Sequence, residues 1–118
     1  MISKAEQKRT NRERRHRRIR ARVFGTASRP RLSVYKSNRY LYAQLIDDEK
    51  GVTIAAAHDL GQDSKVTKKE RAEAVGKEIA ERGKEKGISN VVFDRGGFIF
   101  TGRIRLTAEA ARKGGMLF

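Results

Sequence analysis

Four carboxylates and two histidines are the residues here that bear on catalysis or metal binding. Asp47-Asp48-Glu49 is a run of acids, and Asp94 stands alone further on. Oxygen-rich clusters of this kind hold hard divalent cations, and a held cation can assist phosphodiester hydrolysis. Consecutive acids on a turn, however, usually point apart and into water, so a solvated turn is the expected reading. His16 lies among arginines and His58 closes an apolar run, and neither has a partner at metal-ligand spacing. Gly96-Gly97 is flanked by neither Gly-Lys-Ser/Thr nor a G-x-G-x-x-G pattern, so it is no phosphate loop of a known type. The chain has no cysteine, which removes thiolate zinc sites, disulfides and thiol nucleophiles. No nucleophile–base set is present. The expectation is a protein that is not an enzyme, with no cofactor, no metal and no small-molecule substrate.

The cations say more. Lys and Arg number 28 against 14 acids, a net charge of +14, and an excess of that size points to a polyanionic partner. It is concentrated at one end. Residues 1–31 hold twelve basic side chains (Lys4, Lys8, Arg9, Arg12, Arg14, Arg15, Arg17, Arg18, Arg20, Arg22, Arg29 and Arg31) and only Glu6 and Glu13 as acids. A solvated helical face would carry acids four residues from its bases, and Arg14–Arg22 contains none. The segment reads as a nucleic-acid-binding arm, disordered or a frayed helix in isolation, because it has little apolar surface to bury. Two further places suit RNA. Tyr35, Lys36, Asn38, Arg39, Tyr40 and Tyr42 combine flat rings, an amide and cations; the rings either stack on unpaired bases or simply cover the second face of a sheet. Asp94-Arg95-Gly96-Gly97 with Thr101-Gly102-Arg103 either lets a phosphate approach the backbone and a helix start, or is a turn with solvated arginines.

The elements that must position these groups follow from periodicity. A chain of 118 residues suits one domain, and no apolar run reaches the length of a membrane span. The N-terminus has no apolar stretch after its charges, so it is not a secretory signal, and its acids speak against an organellar transit peptide. A soluble intracellular protein, with no membrane partner, is expected. Gly25 to Ser28 before Pro30 reads as a linker. Leu32-Ser33-Val34-Tyr35 and Tyr40 to Ile46 alternate and are joined by a short polar connection, as in a hairpin; Val52 to Ala57 adds a third strand after the Asp47–Gly51 turn. Thr67-Lys68-Lys69-Glu70 is a capping box, followed by Ala72, Val75, Ile79, Ala80 and Gly83 on one helical face, with Gly87 as a left-handed cap and Ile88 beyond it. Val91-Val92-Phe93 reads as an interior strand reached by a crossover, and a second helix fits about 103–113, with Ile104, Ala108 and Ala111 toward the sheet. The expected architecture is α/β. A small mixed β-sheet, an antiparallel meander plus a parallel strand, is packed with two helices and preceded by a disordered basic N-terminal arm. Arm and linker take 1–29 and the RNA-binding domain 30–118.

Two stretches carry a more specific likeness. Arg29-Pro30-Arg31-Leu32-Ser33-Val34-Tyr35-Lys36-Ser37-Asn38 with Tyr42 to Asp48, and then Ala74-Val75-Gly76, Glu85 to Ile88, Val91 to Gly97, Gly102-Arg103 and Ala110 to Gly115, resemble bacterial large-subunit ribosomal protein family eighteen, the 5S ribosomal RNA-binding protein. The likeness runs in order along nearly the whole chain. It implies a structural constituent of the large ribosomal subunit that binds 5S rRNA and helps attach it to the large-subunit rRNA in the central protuberance. Implied partners are 5S rRNA, large-subunit rRNA and neighbouring large-subunit ribosomal proteins, in the cytoplasm, with the free chain a monomer. RNA contact would fall on the arm (Lys4, Lys8, Arg9, Arg12, Arg14, Arg15, Arg17, Arg18, Arg20, Arg22), on Arg31, Ser33, Tyr35, Lys36, Ser37, Asn38, Arg39 and Tyr40, and on Arg95, Gly96, Gly97, Gly102 and Arg103. Departures are local. Phe100-Thr101 stands where the family usually has Tyr-His, Arg105 where it has a small or apolar residue, and Met116 where it has Leu. The alternatives are a nucleic-acid-binding regulator free of the ribosome, and a nuclease in which Asp47, Asp48 and Asp94 converge on a metal.

Overall fold

The computed structural model describes residues 11–14, 23–37, 40–59, 66–95, 100 and 102–118. Strands β1 (Arg31–Lys36), β2 (Leu41–Asp47) and β3 (Val52–His58) form the expected antiparallel meander. Helix α1 (Lys68–Glu85) then carries the chain back across the sheet to β4 (Val92–Asp94), which pairs parallel to β1. Helix α2 (Gly102–Lys113) follows, and the sheet order is β3-β2-β1-β4. The mixed sheet packed with two helices is as expected. Of the arm, residues 11–14 form a helical turn.

Alternation decides what lies between sheet and helices. Leu32 and Val34 of β1 and Leu41, Ala43 and Leu45 of β2 are fully buried, and they meet Ala72, Val75, Ile79 and Ala80 of α1. A β-bulge, where Leu45 pairs with Ala55 but Ile46 with Thr53, bends β3 at its start. Both ends of α1 are closed locally. Thr67 Oγ1 accepts the Glu70 N–H at 3.2 Å, and Ile88 N–H donates to Gly83 O at 2.8 Å around Gly87 at φ +73°. The two helices touch through small residues. A Cβ on Gly76 would overlap the Thr107 carbonyl oxygen, and Thr107 Oγ1 donates to Ala72 O at 3.2 Å.

Two expectations need correction. Val91-Val92-Phe93 does not make an interior strand: β4 is at the sheet edge, with Val92 and Phe93 half-buried, and the strand starts one residue later and includes Asp94. Its apolar character comes from the C-terminal segment packed on it. Val91 N–H donates to Leu117 O, and Phe93 lies against Phe118, stacked at 5.3 Å, and Phe100, edge-on at 5.8 Å. Helix α2 buries Ile104, Ala108 and Ala111 as expected, but packs chiefly on α1 and touches the sheet mainly at β1.

Candidate nucleic-acid interface

With the helices on one face, the alternate residues of the strands turn to the other. Ser33, Tyr35, Tyr42, Gln44 and His58 lie there in register, since Tyr35 pairs with Tyr42, Ser33 with Gln44, and Tyr42 with His58. Tyr35 is half exposed at 50%, Gln44 and His58 are exposed, and the Tyr42 and His58 rings lie 6.1 Å apart at 54°. Flat rings, an amide and an imidazole exposed on one face of a sheet can stack on bases and bond their edges. Gln44 and His58 were not among the residues expected to touch RNA. The alternation that put Ser33 and Tyr35 on one face also puts Gln44 on the face of Tyr42, so the signal was in the sequence.

The hairpin tip is held by its own hydrogen bonds. Ser37 N–H donates to Tyr40 O at 2.8 Å and Tyr40 N–H to Ser37 Oγ at 3.1 Å, leaving Tyr40 exposed and Lys36 half-buried. Asn38 and Arg39 lie outside the described residues. The start of α2 is brought against this tip from 66 residues away: Arg103 Nη2 donates to Ser37 O at 3.0 Å. Arg103 Nη1 is buried and has no acceptor among the described residues, so the guanidinium is part of the domain's frame as well as a cation near the tip. Gly102, at φ +54°, is exposed beside it, and Arg95 is exposed just after β4; Gly96 and Gly97 lie outside the described residues. In the arm, Arg14 is exposed and Arg12 half-buried; Lys4, Lys8, Arg9, Arg15, Arg17, Arg18, Arg20 and Arg22 lie outside the described residues.

Arg31 is placed elsewhere. It is buried, 5% exposed, and its guanidinium is divided between two acids. Nε and Nη2 donate to the two Asp48 oxygens at 3.0 and 3.1 Å, and Nη1 donates to Asp94 Oδ2 at 2.8 Å. The Asp48 hydrogen bonds raise its pKa above the ordinary arginine value, against the opposing cost of burial, with Asp94 adding to the rise. A buried guanidinium with two carboxylates is not available to a phosphate, so Arg31 leaves the set of expected RNA contacts. The same geometry corrects the reading of Asp47 and Asp48 as solvated, while Glu49 is exposed as expected. Asp47 is 2% exposed and accepts the turn N–H groups of Glu49 and Lys50 at 3.0 and 3.3 Å. Asp48 and Asp94 do converge, but on Arg31 rather than on a metal position. Among the described residues no group of three or more His, Cys, Asp or Glu is arranged to hold a metal ion, and no helix is long and apolar enough to cross a membrane.

The departures noted in the sequence fit locally. Phe100 packs on Phe93 through ring edges and so acts as an apolar residue; Arg105 is exposed and paired with Glu109 at 2.8 Å; Met116 is buried in the core. Thr101 lies outside the described residues.

The family model "Ribosomal L18 of archaea, bacteria, mitoch. and chloroplast" matches residues 6–118. Two chains named large ribosomal subunit protein uL18, from two strains of Lactobacillus delbrueckii subsp. bulgaricus, are each 55% identical over 120 residues, covering 100% of this chain and 100% of the relative. An open, aromatic-bearing sheet face, a strongly basic arm and a full-length match thus lead to one assignment: the chain belongs to the ribosomal L18 family, structural and non-enzymatic proteins of the large ribosomal subunit.

Proposed function

We propose that the chain binds 5S rRNA and helps attach it to the large-subunit rRNA in the central protuberance of the cytoplasmic ribosome. The observation that carries this reading is the sheet face opposite the helices, where Tyr35, Gln44 and His58 are solvent-exposed close to a hairpin tip and a helix start that bear cations. Structured RNA with unpaired bases offers partners for such a face; regular duplex DNA, whose bases are stacked inside, does not. The arm supplies sequence-independent attraction, and the domain supplies the choice of RNA. Contacts are assigned to the arm cations from Lys4 to Arg22, to Ser33 and Tyr35 through Tyr40, and to Arg95, Gly96, Gly97, Gly102 and Arg103. The test is competition binding of the full chain to 5S rRNA, an unrelated RNA hairpin and duplex DNA over a salt series. A preference for 5S rRNA that persists as salt rises supports the reading. Affinities that fall together and become equal would leave only a tail-driven binder of nucleic acid.

A further inference from the structure

The segment that joins arm to domain is held far more firmly than a linker needs to be. Gly25 N–H donates to Asp48 Oδ2 at 2.7 Å, and Asp48 N–H donates back to Gly25 O at 2.9 Å. Asp48 is the carboxylate that grips Arg31, so one side chain ties together the end of the arm, the first residue of β1 and the β2–β3 turn. Between those two ties, residues 26–29 close a small loop, with Thr26 N–H donating to Arg29 O at 3.0 Å and Arg29 N–H to Thr26 Oγ1 at 3.1 Å. Pro30 O then accepts the Val92 N–H at 2.9 Å. Gly25 is buried, and a Cβ there would overlap the Arg31 nitrogen and the Ile46 carbonyl oxygen, so the close approach requires glycine.

From this geometry we infer that Gly25, Arg31, Asp48 and Asp94 form a clasp that sets where the basic arm leaves the domain, so that arm and sheet engage one RNA together. The inference rests on the proposed RNA-binding role of the arm. Its physical basis is effective concentration. Two binding elements on one chain reinforce each other when the tether between them is short and held in a geometry that suits both sites, and less when it is longer and free. Release of the clasp adds residues 25–29 to the free tether and widens the range of directions the arm can take. Arg31, Asp48 and Gly25 are therefore positioning residues. They touch no RNA, yet they govern how many arm cations reach phosphates while the domain is bound.

A double-mutant cycle on the full chain tests this. One change is Gly25→Ala, which displaces the strap sterically, with Asp48→Asn as a second way to release it. The other replaces Arg17, Arg18, Arg20 and Arg22 by Gln, weakening the arm while keeping the chain intact. Dissociation constants for 5S rRNA are measured over a salt series, and thermal melting confirms that each variant is folded. With the arm intact, releasing the clasp weakens binding about three- to tenfold and flattens the slope of log K against log salt by roughly 1. With the arm neutralised, the same change alters binding less than about twofold, because there is nothing left to aim. Equal losses in both backgrounds would make the clasp a purely structural feature and overturn the inference, as would no loss with the arm intact. If neutralising the arm changes neither affinity nor salt slope, the arm's role in the proposed function falls, and the clasp's with it.

Discussion

The arm and the domain use the same side chain for opposite purposes. From Lys4 to Arg22 ten cations stand against only Glu6 and Glu13, so the segment's own acids leave a net charge of +8. In the domain, Arg31 is enclosed by Asp48 and Asp94, and Arg82 and Arg105 each pair with an acid four residues earlier or later. Unneutralised charge attracts a polyanion and contributes little to the fold. Charge that is both buried and paired, as at Arg31, belongs to the fold and is lost to the polyanion, whereas the surface pairs of Arg82 and Arg105 contribute little to the fold. Counting arginines therefore overstates how much of the domain's positive charge is open to a polyanion.

The comparison breaks first at Arg31. Asp94→Ala leaves a buried guanidinium with one partner fewer, which should lower unfolding free energy by about 3–5 kcal/mol, as measured by urea denaturation. A loss within experimental error would show that Arg31 finds water or another acceptor, and that buried and solvated arginines differ less than argued. Second comes the arm. Replacing Arg17, Arg18, Arg20 and Arg22 by Gln should leave the melting temperature unchanged. It should also flatten the salt slope by up to about 3, so that affinity falls about 60-fold less between 50 and 200 mM salt. A shifted melting temperature would mean that these arginines belong to the fold. Third, Tyr35→Ala should weaken RNA binding by about 1–3 kcal/mol with little change in stability, whereas Tyr35→Phe keeps the ring and most of the affinity. Equal weakening by both variants would point to the hydroxyl and not to stacking. The smallest effect is expected at Thr67→Ala, which removes the α1 N-cap at a cost of about 1 kcal/mol, with the RNA dissociation constant unchanged in calorimetric titration.

What could be read along the chain was whatever depends on neighbours within a few residues. The Thr67 cap, the Gly87 and Ile88 closure of α1, the alternation that separates Leu32 and Val34 from Ser33 and Tyr35, and the Glu78–Arg82 pair all arise from local backbone geometry, which has a period of two or of 3.6. The concentration of charge in the arm needs no structure at all. Other features required the folded chain. Arg31 meets Asp48 across 17 residues and Asp94 across 63, and before folding each of the three looks like an ordinary solvated charge. An apolar triplet such as Val91-Val92-Phe93 must be covered, but its pattern does not say by what; here a C-terminal aromatic cluster covers an edge strand, where flanking strands were expected. Periodicity tells each side chain which face it occupies. Only the packing of distant segments decides which charge is neutralised, which strand lies at the edge, and which face of the sheet the helices cover.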